Sequence, residues 1–265
     1  MAKLLDAPIT ASDLDDYLAT QDSFALELRV LKFASGLGFI AQHGGSYIDP
    51  VLAKHRQFDL RLRKVMGARS ISMAIECKSL QKSCPLLVSR IPRHPNESFH
   101  FRVYVQHRDG HHFPNVVRSD SARVFYAADE MVGKSLAQVG KTVNGSWTDS
   151  DADLHDKWTQ ALNSSVELFE AEMRLPFHEV AFAAVVPCLV VSDDTLWTVD
   201  YESDGSIKGP PEPADEVTYF VGRAYSTFNP VAEFTISHLH IFTERGMRNR
   251  LTELEKGCPW WTTLT

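Results

Sequence analysis

Phe58-Asp59-Leu60-Arg61-Leu62-Arg63-Lys64 and, after a short break, Ser70-Ile71-Ser72-Met73-Ala74-Ile75-Glu76-Cys77-Lys78 decide how this chain is read. Phe58, Leu60 and Leu62 alternate with Asp59, Arg61 and Arg63. Ile71, Met73, Ile75 and Cys77 alternate with Ser72, Ala74, Glu76 and Lys78. A period of two means strands with one apolar face each, over 57–64 and 70–78. Asp59 and Glu76 are 17 positions apart, which fits one strand, a turn and the return strand. Glu76 and Lys78, two apart, leave the second strand on one face, while Ile75 and Cys77 turn to the core. Two carboxylates therefore converge beside an ammonium at the end of an apolar strand.

That kit suits phosphodiester hydrolysis. Converging carboxylates make a hard oxygen site for Mg²⁺, with Mn²⁺ as a substitute, and leave positions for water and phosphate. A metal there polarises the phosphodiester, and Lys78 can orient the attacking water.

Working outward, residues 12–35 read as helix, with Ser12 and Asp15 as a capping box and Phe24, Leu28 and Leu31 at helical spacing. Glu27 falls beside that stripe, where a carboxylate needs a partner. That partner is a metal or a nearby Arg61 or Arg63. Strand-like runs follow at 38–42, 57–64 and 70–78. Residues 91–149, with a strand at 99–106, read as a surface insertion. A second helix spans 149–172, with Trp158, Leu162, Val166 and Phe169 along one face. Strands at 180–191, 196–201, 217–225 and 232–242 and a closing helix at 245–255 complete a mixed α/β order.

Asp59 followed by Glu76-x-Lys78, behind a helix bearing Glu27, resembles the PD-(D/E)XK nuclease superfamily of restriction endonucleases and junction resolvases. The resemblance implies a restriction-endonuclease-like α/β fold: a mixed central sheet flanked by helices, here with an insertion and extra C-terminal strands. Its helix, three-stranded meander, second helix and fourth strand would be 23–35, 38–78, 150–173 and 180–191. The whole chain, 1–265, is then one nuclease-like domain with core 23–90 and 150–201, insertion 91–149 and C-terminal extension 217–265. The resemblance assigns the metal to Asp59, Glu76, the Cys77 carbonyl and Glu27, and catalysis to Asp59, Glu76 and Lys78. It covers about half the chain, and Phe58 stands where the motif's name has proline. Gln160 resembles a polar residue that some members place near the metal.

Charge agrees with a phosphate-binding region. Residues 51–95 hold ten Lys or Arg against two acids, and both acids are in the motif. Residues 149–216 hold sixteen acids against three bases, and the chain as a whole carries −7. A uniformly basic nucleic-acid coat is excluded; a local basic site is not. Lys54, Arg56, Arg61, Arg63, Lys64 and Lys82 are the candidate DNA-binding residues. For Asp59, Glu76 and Lys78 the bland alternative is the solvated face of two edge strands.

Composition, 44% hydrophobic and 23% charged over 265 residues, is that of an ordinary folded chain. Four dispersed cysteines argue against zinc knuckles and disulfide frameworks. No apolar signal core follows Met1, and the longest apolar run, 180–191, falls short of the roughly 20 residues a bilayer needs. The expectation is a cytoplasmic protein with DNA as its partner and no membrane. If it cuts both strands of a duplex it should work as a homodimer, with 217–225 and 232–242 as the interface. His107, His111 and His112, or His238 and His240, are rival metal ligands, read more simply as exposed histidines. Trp197, Trp260 and Trp261 read as packing aromatics. The alternatives to a nuclease are a non-catalytic DNA-binding or assembly module of the same fold and a His-dependent metal hydrolase.

Overall fold

Two helices open the chain in place of the expected one. The computed structural model describes residues 6–108, 111–120, 125–150, 152–174, 181–227 and 231–264. Helix α1 is Ala11–Gln21 and α2 is Ser23–Gly36, joined at Asp22. The capping box sits two residues earlier than Ser12: Thr10 accepts from the Asp13 amide, and Asp13 accepts from the Thr10 amide. Asp22 caps α2 through the Ala25 amide and so breaks the run. The buried stripe of α2 is Leu26, Val30 and Ala34; Phe24 and Leu28 are exposed. Both sets have helical spacing, so periodicity alone could not choose between them.

Strand β1 is Ile40–His43, followed by a small hairpin, β2 (Ser46–Ile48) and β3 (His55–Gln57). The decisive strands are β4 (Leu60–Met66) and β5 (Arg69–Lys78), antiparallel, with Leu60 opposite Ile75. Next come β6 (Leu86–Pro92), β7 (Phe99–Arg108), β8 (His111–Asp120), β9 (Met131–Lys141) and β10 (Trp147–Ser150). Helix α3 (Ala152–Arg174) leads to β11 (Phe182–Val191) and β12 (Leu196–Asp200). Strands β13 (Glu212–Pro213), β14 (Glu216–Ser226) and β15 (Glu233–Thr243) precede α4 (Glu244–Glu255). The result is a mixed α/β fold on a large mixed sheet.

The sheet order is β1-β4-β5-β11-β15-β14-β9-β6-β12-β13, with β10 on β9 and β7 pairing both β11 and β8. β5 is thus central, antiparallel to β4 and parallel to β11. On β11's other edge, β7 pairs residues 182–184 and β15 pairs 188–191. Pro187, with no N–H to give, falls in the interval between those two partners. One sheet face (Leu60, Leu62, Ile71, Met73, Ile75, Cys77) packs on α2 and on Met247, Leu251 and Leu254 of α4. The opposite face of β11 (Ala183, Val185, Leu189, Val191) packs on Ala161, Leu162, Val166 and Phe169 of α3. Each large aliphatic side chain buried this way contributes about 1.5–3 kcal/mol. Among the described residues no helix is long and apolar enough to cross a membrane.

Several expectations change. Residues 91–149 are not a surface insertion: β9 joins β6 to β14, and Val103, Val105, Phe125, Tyr126 and Val132 are buried. Strands β14 and β15 are part of the central sheet, β15 between β11 and β14, and β14 meets β9 at Tyr219–Gly133. His238 and His240 are buried, not exposed. The Arg93 guanidinium donates to His238 Nε2 at 3.1 Å and to the Ala127 carbonyl, and Tyr126 stacks on the His238 ring. Tyr126 Oη meets His240 Nε2 at 3.0 Å. Burial pulls both imidazoles below their ordinary range, so they act as neutral core groups. The side chains of His107, His111 and His112 lie outside the described residues. Trp260 and Trp261 are core aromatics, as read from the sequence.

Candidate metal and phosphodiester site

Two glycines build the approach to Asp59. Gly44 donates to the Asp59 carbonyl at 2.8 Å, and the Phe58 amide donates to the Gly45 carbonyl at 3.1 Å. Gly45 has φ +154°, and a Cβ there would stand 2.5 Å from the Phe58 ring. The chain can therefore close tightly on Phe58, and Asp59 enters β4 in a fixed pose.

Continuing the register past Leu60–Ile75 sets Asp59 opposite Glu76. The Asp59 amide approaches Glu76 Oε1 at 3.4 Å, and the Cys77 amide donates to Asp59 Oδ2 at 2.8 Å. A strand residue's N–H and C=O leave by the same edge, so the Cys77 carbonyl opens toward Asp59 too. The solvated edge-strand reading fails here, because Glu76 is 0% exposed on a central strand. A buried carboxylate demands compensation.

That compensation comes from α3. Lys157 Nζ lies 2.8 and 3.1 Å from the Asp59 oxygens and 3.1 Å from Glu76 Oε2. Sequence reading missed Lys157, which is 81 residues beyond Glu76. Its signal was slight: it is the sole Lys or Arg between 149 and 173. Over the next two turns, Ala161, Ser164 and Ser165 are small and buried, which lets α3 come close to the strands.

Burial, and then the neighbouring Asp59 charge, push the Glu76 carboxyl up to about 8 despite the ammonium. Lys157 is raised by Glu76 and Asp59, against the pull of its own burial. The site is short of positive charge. Glu27 accepts or shares a hydrogen bond with His43 Nε2 at 2.9 Å, the partner it has in place of Arg61 or Arg63. Its carboxyl is raised by burial and then by Asp59, so it senses the same cluster from the rim. Among the described residues no three His, Cys, Asp or Glu side chains close on one point. The donor set is two carboxylates, with a carbonyl at their side. It fits a hard divalent ion, since one ammonium already sits where both carboxylates can reach it.

The titration gives a direct expectation. Glu76 holds its proton in the fold above the ordinary carboxyl value of 4.5. Its contribution to stability is therefore complete below that value and is lost as pH rises through about 8. Metal-free unfolding by denaturant at steps from pH 4.5 to 9 should show this decline, and Glu76→Gln should flatten it. An unchanged slope in the variant would contradict the assignment.

Lys78 lies on the Glu76 side of β5, half-buried, with no ion pair among the described residues. The basic set fares differently. Arg61 pairs with Glu167 at 2.9 Å and covers the Phe58 ring; Arg63 pairs with buried Glu172 at 2.9 Å. Lys64 donates to the Leu37 carbonyl, Arg56 pairs with Asp49, and exposed Lys82 pairs with Asp194. Lys54 alone of the six is exposed without an ion pair among the described residues. Much of the local positive charge thus ties β4 to α3 and to the loop after α2. Gln160 accepts at its backbone carbonyl from Tyr47 Oη at 3.5 Å. No family model, curated protein or solved structure matches the chain.

Proposed function

We propose that the chain is a divalent-metal-dependent nuclease acting on DNA, with a restriction-endonuclease-like core. The observation that carries the reading is the pair Asp59 and Glu76, opposed across β4 and β5 and sharing one cation, Lys157. The order of α2, the antiparallel meander β1-β4-β5, helix α3 and parallel strand β11 supports it. Asp59, Glu76 and the Cys77 carbonyl would hold Mg²⁺ or Mn²⁺, with Glu27 at the rim. A cation there supplies Lewis-acid polarisation of the phosphodiester. Lys78 orients the water, and Lys54, Lys78 and Lys82 meet the backbone phosphates.

The test is incubation with plasmid, linear and single-stranded DNA plus Mg²⁺, beside Lys78→Ala. The variant should stop cleaving yet still bind DNA, its salt slope falling by only about one. A normal cleavage rate refutes the catalytic role, and lost binding makes Lys78 a docking residue.

The position of Lys157 also favours a second reading, a non-catalytic DNA-binding module in which the ammonium permanently replaces the metal. Absence of cleavage in every arm, with DNA still bound, would select it.

A further inference from the structure

Helix α2 carries a second face that the carboxylate site does not use. Arg29, Lys32, Phe33, Gly36 and Leu37 follow the i, i+3, i+4, i+7, i+8 spacing of one helical stripe. Arg29 comes two positions after Glu27, so the two leave α2 on nearly opposite sides. With Arg248 of α4 the stripe lines a groove of about 510 Å³. That size suits a small organic ligand.

The floor of the groove is apolar. Phe33 and Leu37 are half-buried, and the Arg248 guanidinium lies 5.2 Å from the centre of the Phe33 ring. Gly36 leaves the floor open, since a Cβ there would meet nothing within 4 Å. The walls are basic. Arg29 Nε donates to Glu244 Oε2 at 2.8 Å, and Arg248 Nη2 donates to Glu244 Oε1 at 2.6 Å. One largely buried carboxylate therefore holds two guanidiniums together. It takes one nitrogen from each and leaves the other donors of both forks. Arg248 Nε is shielded from solvent and has no hydrogen-bond partner among the described residues. Lys32 is exposed, with no ion pair among the described residues.

Three cations against one acid leave two positive charges. A phosphate monoester, at about −1.5 to −2 near neutral pH, matches them, and paired guanidiniums suit its oxygens. The C-terminal end of α2 does not oppose an anion strongly. The Leu37 amide turns back onto the Phe33 and Ala34 carbonyls, and Lys64 Nζ donates to the Leu37 carbonyl at 2.7 Å. The geometry points to a binding site for a phosphate monoester that carries a flat apolar body, the chemistry of a nucleoside monophosphate. The phosphate sits among Arg29, Lys32 and Arg248, and the body lies over Phe33 and Leu37 across Gly36. The site does not depend on what Asp59 and Glu76 do.

Calorimetric titration of the full chain with adenosine 5′-monophosphate in metal-free buffer tests it, beside adenosine and inorganic phosphate. The monophosphate should bind with a dissociation constant below about 1 mM, and each half alone at least about tenfold more weakly. Lys32→Glu reverses a wall charge, and Gly36→Leu fills the floor. Each should raise the dissociation constant about tenfold or more. Both positions are exposed, so melting should not fall in either variant. Lys78→Ala should bind as the wild type does, because the Ser79 amide meets Ser23 at the start of α2 and the groove lies along its second half. No binding by the wild type, binding indifferent to either groove variant, or binding lost in Lys78→Ala overturns the inference.

Discussion

Lys157→Met should cost the metal-free protein about 3–5 kcal/mol, the usual loss when one partner of a buried ion pair is removed. The substitution leaves Glu76, which is fully buried, facing Asp59 with no cation between them. The loss should grow with pH, because at acid pH Glu76 can take a proton instead. Mg²⁺ or Mn²⁺ should then restore more of the melting temperature in the variant than in the wild type, since metal no longer competes with an ammonium. Thermal melts at pH 6 and pH 9, with and without metal, read both effects. A loss below about 1 kcal/mol, or no recovery with metal, would make the contact an ordinary surface-type pair.

The second large effect concerns cleavage. Asp59→Ala and Glu76→Gln should each lower the rate by about a thousandfold or more, roughly 4 kcal/mol of barrier. Each removes one of the two carboxylates proposed to hold the cation, and one carboxylate binds Mg²⁺ poorly. Far-ultraviolet circular dichroism controls for folding. Residual cleavage at a tenth of the wild-type rate in either variant would place the reaction elsewhere on the molecule.

The parts of this fold written in local pattern were legible. Alternation in 57–64 and 70–78 located β4 and β5 to within a few residues, and their antiparallel pairing follows from the short turn at Gly67. The apolar run 180–191 reads as a strand, which β11 is, and the sheet buries it on both faces. What local pattern could not give was the sheet order. Nothing in residues 91–149 says that β9 will lie against β6 and β14, because those contacts join segments far apart in sequence. The polar content of that stretch made it look like surface, though much of that polarity alternates with apolar residues along β7, β8 and β9.

The site divides the same way. That Asp59 and Glu76 face each other was readable because they share one hairpin, and that Glu27 has a partner because a carboxylate beside an apolar stripe needs one, though that partner is His43. Lys157 was not, since α3 reaches β5 by packing across 81 residues of sequence that no local pattern records. The basic residues misled for a related reason. Charge counted along the sequence could not see that Glu167 and Glu172 of α3 would fold onto Arg61 and Arg63. His238 and His240 looked free because alternation in β15 does not reveal that both faces are covered.

Calorimetric titration with Mn²⁺ at pH 8 to 9, where Glu76 gives up its proton, tests the central claim most directly. The wild type should bind the ion at one site per chain, and Asp59→Ala and Glu76→Gln should each abolish that binding. Equal Mn²⁺ affinity in the wild type and both variants, or no binding by the wild type at millimolar metal, would contradict the two-carboxylate site.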